Sequence, residues 1–257
     1  MREFFGYFFG KGETREFQNF SLAHIIPILL MVGVILLIYR YREQIRTSKH
    51  ERTFCFTMAF IMIVSEMSYF WRLVGVPSLN PNPEEHLPIT VCGWTIVFCS
   101  YLVLTKSQTL FDISYFWLFS GTIFALITPT VIEFTGPTRF RYYQFWIEHT
   151  MGYISIFYMI FAHKMRPNLK SIVKSYAALA VLAGIAYFAN EVLGGEANYL
   201  FMAATEDASS IVNMLPSNIL VRILLMGAIV TVLFAIAYLP WFIKDRRAKA
   251  VKQVKSV

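Results

Sequence analysis

Cys92, Glu148 and His149 stand out because of where they lie. Each sits inside an apolar run, Cys92 in "LPITVCGW" and the other two in "QFWIEHTMGY". An ionisable side chain at membrane depth is costly, so it faces a cavity, a partner or a substrate. A thiol in apolar surroundings is inert unless a base or a positive charge activates it. A histidine at the same depth can supply that base. Cys92 would then attack an ester carbonyl as nucleophile, His149 would move the proton as general base, and the acyl group would pass through a thioester. The oxyanion needs hydrogen-bond donors, and Thr90, Asn190, Asn198 and Tyr199 qualify on chemistry alone.

Helical geometry separates the adjacent pair. His149 shares a face with Phe145, Trp146, Gly152 and Tyr153, while Glu148 lies about 100° round on a stripe with Gln144 and Arg141. Glu148 is therefore expected to pair with a cation, Arg141 or Arg222, while His149 looks at a cavity. Gly152, one turn deeper, would let a lipid chain or another helix come close. Blander readings exist for each residue. Cys92 would be a small buried hydrophobe, His149 a packing residue bonded to a neighbouring helix, Glu66 and Arg72 bundle-holding partners, and Asn190 a cap on the sixth helix.

The elements that position these residues follow from composition. The 257 residues are 56% hydrophobic and 15% charged, with a mean hydropathy of +0.52. Soluble domains carry roughly 45–50% apolar and about 25% charged residues. The apolar excess comes in long blocks, near 20–39, 53–76, 88–104, 110–132, 143–163, 175–193 and 217–243. These predict an all-α, polytopic membrane protein, a seven-transmembrane-helix bundle. Pro88 suits the first turn of the third helix, and Pro129 should kink or end the fourth. Residues 1–19, rich in Phe and Tyr and without a signal-peptide pattern, read as an interfacial segment. Residues 20–243 form the transmembrane domain and 244–257 a basic tail.

With the N-terminus outside, the inner segments 40–52, 105–109, 164–174 and 244–257 hold 16 of the 23 Lys and Arg. The outer loops "PSLNPNPEEH" and "EVLGGEANYLFMAATEDASS" hold none. The positive-inside rule therefore predicts the N-terminus outside and the C-terminus cytoplasmic. The net charge of +7 is dispersed over loops facing an anionic leaflet, which argues against a nucleic-acid partner and for membrane phospholipids. On this topology His24, Glu66, Arg72, Cys92, Glu133, Glu148, His149, Asn190 and Arg222 all fall in the outer half. That one-sided clustering predicts a polar cavity there, lined by His24, Glu66, Arg72, Thr90, Glu148, Asn190, Asn198, Tyr199 and Arg222. The inner half offers mainly Asp112 and His163, close to basic loops that can pair with them.

Several chemistries are excluded. Cys55, Cys92 and Cys99 form neither a disulfide framework nor a metal-ligand spacing. No two histidines stand four apart, and there is no G-x-S-x-G or P-loop. The seventh helix has no lysine at depth for a Schiff base. No metal and no cofactor is implied. The alternative function is a transporter or ligand-binding sensor using Glu66, Arg72, Glu148 and Arg222, although no internal repeat of the transporter kind is visible.

"LPITVCGW", "SYFWLFSGTIFALITPTV", "RFRYYQFWIEH" and "GGEANYLF" occur in an order and spacing that resembles the YwaF-type bacterial integral membrane proteins, over roughly residues 20–215. Those are similar in turn to the vertebrate transmembrane protein 164 family. The resemblance implies seven helices in a bacterial cell membrane. For the vertebrate member it also implies an acyltransferase moving polyunsaturated acyl chains between phospholipids, with a required cysteine and histidine that match Cys92 and His149. A more distant similarity is to membrane hydrolases of fatty acid esters that use threonine and histidine. The bacterial pattern often opens the third helix Leu-Pro-Leu-His-hydrophobic-Cys, and Thr90 stands here where that histidine would be. The expected function is thus a lipid acyltransferase or lipid esterase.

Overall fold

The computed structural model describes residues 2–10, 17–129, 136–195, 197–202, 216 and 218–254, and among them every regular element is helical. In chain order these are α1 (Arg2–Phe9), α2 (Leu22–Thr47), α3 (Glu51–Gly75), the single turn α4 (Pro83–His86) and α5 (Val91–Thr105). They continue with α6 (Gln108–Trp117), α7 (Ile123–Ile127), α8 (Phe140–Phe161), α9 (Leu169–Leu193) and α10 (Ile219–Val254). A π-helical turn, Leu118–Thr122, joins α6 to α7. Residues 11–16 of the N-terminal segment, 130–132 of the fourth expected span, Glu133, most of the acidic loop before α10 and 255–257 of the basic tail lie outside the described residues.

Among the described residues, five helical stretches are long and apolar enough to cross a membrane: α2, α3, Gln108–Ile127, α9 and Ile219–Ala250. The other two expected segments are helical for different reasons. α5 is strongly apolar but has only 15 residues, about 22 Å of rise against about 30 Å of hydrocarbon. α8 has 22 residues, yet Arg141, Gln144, Glu148 and His149 on its buried face lower its hydropathy. The fourth segment ends at Ile127, two residues before Pro129, because the residue preceding a proline is disfavoured in helical geometry.

The core is α3, α5 and α8 packed together, with α6 against α5 and α2 against α8. α2, α9 and α10 expose large apolar side chains such as Leu29, Leu30, Val173, Phe188, Leu220 and Leu224. Leucine-rich faces of this extent suit a hydrocarbon solvent. Buried polar detail then fixes the geometry. Pro27 lies inside α2 and cannot donate to the carbonyl of Ala23, one turn earlier. The Tyr142 hydroxyl of α8 donates to that carbonyl at 2.7 Å, so one break in α2 becomes a tie to α8.

α5 and α8 run the same way. Both finish near Glu51, at the first turn of α3, where Lys106 and Tyr158 reach its carboxylate. The bundle therefore has two polar ends: one around Glu51, and the opposite one where Cys92 and His149 lie.

Candidate functional site

The site starts from how α5 begins. Thr90 is its N-cap, the side-chain oxygen accepting from the Gly93 amide at 3.0 Å. Cys92 is thus in the first turn, where helix amides have no intrahelical acceptor. The amides of Val91 and Cys92 make no hydrogen bond among the described residues, and they point in the direction from which the helix dipole attracts negative charge. The Cys92 thiol is partly buried, with the Thr122 hydroxyl 3.7 Å from its sulfur. Thr122 closes the π-helical turn, a local widening that re-aims the residues after it. The Tyr153 hydroxyl of α8 pins that turn by donating to Leu118 O at 2.6 Å.

His149 is buried on α8, with its Nδ1 2.8 Å from the carbonyl of Phe145 and its ring against that of Phe145 at 4.1 Å between centroids. A carbonyl only accepts, so Nδ1 carries the hydrogen and Nε2 keeps the lone pair. Nε2 has no partner among the described residues. Gly152 lets the two helices close up. A Cβ there would stand 2.9 Å from Leu118 Cδ2 and 3.2 Å from Ile96 Cδ1. Ile96 is one turn past Cys92 and Gly152 is one turn past His149. Because α5 and α8 run the same way, thiol and imidazole occupy one layer at one end of the bundle.

A second group of side chains adjoins that layer. Arg141 donates to Gln144 Oε1, and Gln144 Nε2 donates to Glu148 Oε2 at 2.6 Å and to the Ser65 carbonyl at 3.1 Å. Arg141 itself is 3.9 Å from Glu148. Gln144 thus carries the ion pair as a relay, and Arg141 is the cation beside Glu148. Glu66 of α3 is a near neighbour of Glu148, so two carboxyls meet where α3 faces α8. The Glu66 carboxyl lies over Gly93, where a Cβ would stand 2.6 Å from Oε1. Glycine beside Cys92 is therefore what lets this acid pair approach the thiol's helix.

The remaining expected residues sit elsewhere. His24 is buried and spent: Nδ1 accepts from the Phe20 amide at 2.9 Å, and Nε2 donates to Leu126 O at 2.7 Å. It borders a small apolar hollow with Ile25, Ile28, Ile123 and Leu126. Arg72 reaches back to α1, donating from Nε to Phe9 O at 2.6 Å, and Arg222 Nε donates to Phe201 O at 2.5 Å. Asn190 accepts from the Tyr199 amide at 2.8 Å and donates to its carbonyl at 3.1 Å. The Tyr199 hydroxyl donates to Pro83 O and accepts from the Leu87 amide at 2.7 Å. Those groups are committed to holding the Leu87–Pro88 approach to α5, with Asn198 at the start of that turn. They hold the chain that leads into α5, and the side-chain donor recorded at the Cys92 sulfur is the Thr122 hydroxyl.

Sequence reasoning missed Thr122, the Gln144 relay and Trp146, whose buried indole N–H is without a partner, the kind of orphan donor that a substrate oxygen satisfies. The relay and Trp146 had a signal, since Gln144 shares the Glu148 stripe and Trp146 the His149 face. No group of His, Cys, Asp and Glu among the described residues could hold a metal ion.

Apolar spanning helices around a polar core make this chain a multi-pass helical membrane protein. Residues 19–238 match the TMEM164 family model, and the chain belongs to that family. Neither the curated proteins nor the solved structures yield a match.

Proposed function

We propose that this protein is a membrane-embedded lipid acyltransferase or lipid esterase that acts on phospholipid acyl chains, with Cys92 as nucleophile and His149 as general base. One observation carries it: His149 spends Nδ1 on its own helix and keeps Nε2 open, in the same layer as a thiol at a helix N-terminus. Nε2 takes the thiol proton, Sγ attacks the ester carbonyl, and the developing oxyanion meets the free Val91 and Cys92 amides. Nε2 then returns the proton to the leaving lysophospholipid hydroxyl. A second lipid hydroxyl, or water, resolves the thioester by the same steps reversed. Glu66, Glu148 and Arg141 keep the neighbouring volume polar, with Arg141 as the cation beside Glu148.

Family membership supports this chemistry, and the motif order resembling YwaF-type proteins supports a place in a bacterial cell membrane. Charge distribution supports seven crossings with the N-terminus outside, so that the site works on the outer leaflet. α5 then crosses as a short helix screened by its neighbours, and α8 as one whose polar face is buried. The test is acyl exchange in purified protein reconstituted with isotope-labelled phospholipids, read by mass spectrometry. We expect labelled chains to move between lipids or be released, and to stop moving in folded Cys92→Ala and His149→Ala variants. Activity surviving Cys92→Ala would move the nucleophile elsewhere. An inactive wild type across a broad lipid panel would favour a transporter or sensor built on the same polar residues.

A further inference from the structure

At the opposite end of the bundle, four chemistry-bearing side chains converge on one carboxylate oxygen. Glu51 Oε1 receives the Tyr158 hydroxyl at 2.8 Å, the Lys106 ammonium at 3.0 Å, His163 Nε2 at 3.3 Å and the Cys55 thiol at 3.4 Å. The contacts continue among the donors. Lys106 Nζ is 3.5 Å from Cys55 Sγ, and the Tyr158 hydroxyl is 3.6 Å from the same sulfur. These residues come from the first turn of α3, the α5–α6 junction and the end of α8. Lys106 has φ 53° at the C-cap of α5, a left-handed conformation unusual for lysine that turns the chain there. The chemistry assigned to Cys92 uses none of them.

An ion-pair knot tying three helices needs only Glu51, Lys106 and Tyr158. A thiol held between a carboxylate and an ammonium is a different matter. The Lys106 charge beside the sulfur favours the thiolate, the form that reacts with oxidants. Cys55 is buried, which shuts out large reagents, whereas the Lys106 side chain is 32% exposed and leaves a route for a molecule the size of hydrogen peroxide. The 3.5 Å between sulfur and nitrogen is a non-bonded contact, and the flexible lysine side chain lets the nitrogen close onto a single bridging atom.

The geometry points to Cys55 and Lys106 as a reversible oxidative modification site, in which peroxide joins them through one oxygen as an N–O–S bridge. In the first step the Cys55 thiolate attacks one peroxide oxygen. The S–O bond forms, the O–O bond breaks, and the products are the sulfenic acid and water. In the second step the Lys106 ammonium gives its extra proton to water, and the sulfenic oxygen bonds to the neutral Nζ. The two hydrogens lost, one from oxygen and one from the amine, reduce a second peroxide to two waters. In sum, thiol, amine and two peroxides give the bridge and three waters. Reduction by a dithiol restores both side chains. The bridge fastens α3 to the end of α5, two of the helices that carry Glu66 and Cys92.

The test treats the full chain, purified in detergent, with hydrogen peroxide and then maps it by peptide mass spectrometry. We expect a Cys55–Lys106 cross-linked peptide heavier by one oxygen and lighter by two hydrogens, lost on dithiothreitol treatment and absent from Cys55→Ser. Lys106→Arg keeps the charge beside Glu51, so the fold is retained, but Cys55 should stop at the sulfenic acid and be trapped by dimedone added together with denaturant. A folded wild type in which Cys55 stays a thiol, or runs on to sulfinic and sulfonic acid without the cross-link, would overturn the inference.

Discussion

Cys92 and Cys55 are both partnered thiols near helix ends, on opposite sides of the same bundle, and their surroundings differ in what is left over. Around Cys55 each nearby polar side chain bonds another member of the cluster: Glu51 accepts from Cys55 and Tyr158 and pairs with the Lys106 ammonium, and His163 Nε2 bonds the Tyr158 hydroxyl. Around Cys92 the Nε2 of His149, two backbone amides and the Trp146 indole N–H are unspent. A satisfied cluster can react only with itself once a small reagent enters. An unsatisfied one has room in its hydrogen bonds for a substrate, and so it is the end suited to turnover. Asp112, buried and bonded to Gln108, Ser171 and Lys174, repeats the satisfied pattern near the Glu51 end.

The comparison can be broken most forcefully at His149. Removing a general base costs about 10²–10⁴-fold in rate, so His149→Ala should lose acyl transfer by that order while its thermal midpoint stays close to wild type. His24→Ala is the control, a histidine already spent. It should cost about 1–3 kcal/mol of stability, because the Phe20 amide and Leu126 carbonyl are left unpaired, and should leave turnover per folded molecule unchanged. Next in size is the ion pair. Arg141→Met strands Glu148 and should destabilise by roughly 3–5 kcal/mol in denaturation assays. Glu66→Gln should be tolerated, since it removes one of two neighbouring buried carboxyls and keeps the side chain's shape.

Gly93→Ala sharpens the link between acid pair and thiol. Its Cβ collides with Glu66 Oε1, so we expect about 1–3 kcal/mol of overpacking cost and a slower enzyme, both partly relieved by Glu66→Ala. The smallest effect is Lys106→Met. Burial opposes the Lys106 ammonium, but the Glu51 carboxylate outweighs it and holds the pKa above the usual lysine value. A raised pKa contributes stability that is fully present below the ordinary lysine range and is lost as pH rises through the higher folded value. Melting curves at pH 6 and pH 8 should therefore show the same modest loss, shrinking only in strong alkali.

Much of the helical plan was legible because apolar runs near 20 residues have few alternatives. Pro129 also announced the end of its helix correctly. Boundaries drifted where polar residues continue a helix beyond the apolar block, as at Arg40–Thr47 in α2 and past Ile243 in α10. Within the site, the Glu148–Arg141 neighbourhood followed from helical stripes, whereas the Glu66–Glu148 contact did not, because it depends on how α3 meets α8. Asn190 and Tyr199 look like oxyanion donors by type and turn out to lock a loop, a distinction made by partners distant in sequence. The π-helical turn that brings Thr122 to Cys92 has no sequence signature.

The most direct measurement is the acyl adduct itself. After incubation of the reconstituted protein with labelled phospholipid, rapid acid quench and peptide mass spectrometry should find labelled acyl on Cys92, cleaved by neutral hydroxylamine as a thioester is. Acyl exchange proceeding at full rate with Cys92 unmodified and the label on another residue, or on none, would contradict a thiol nucleophile in this fold.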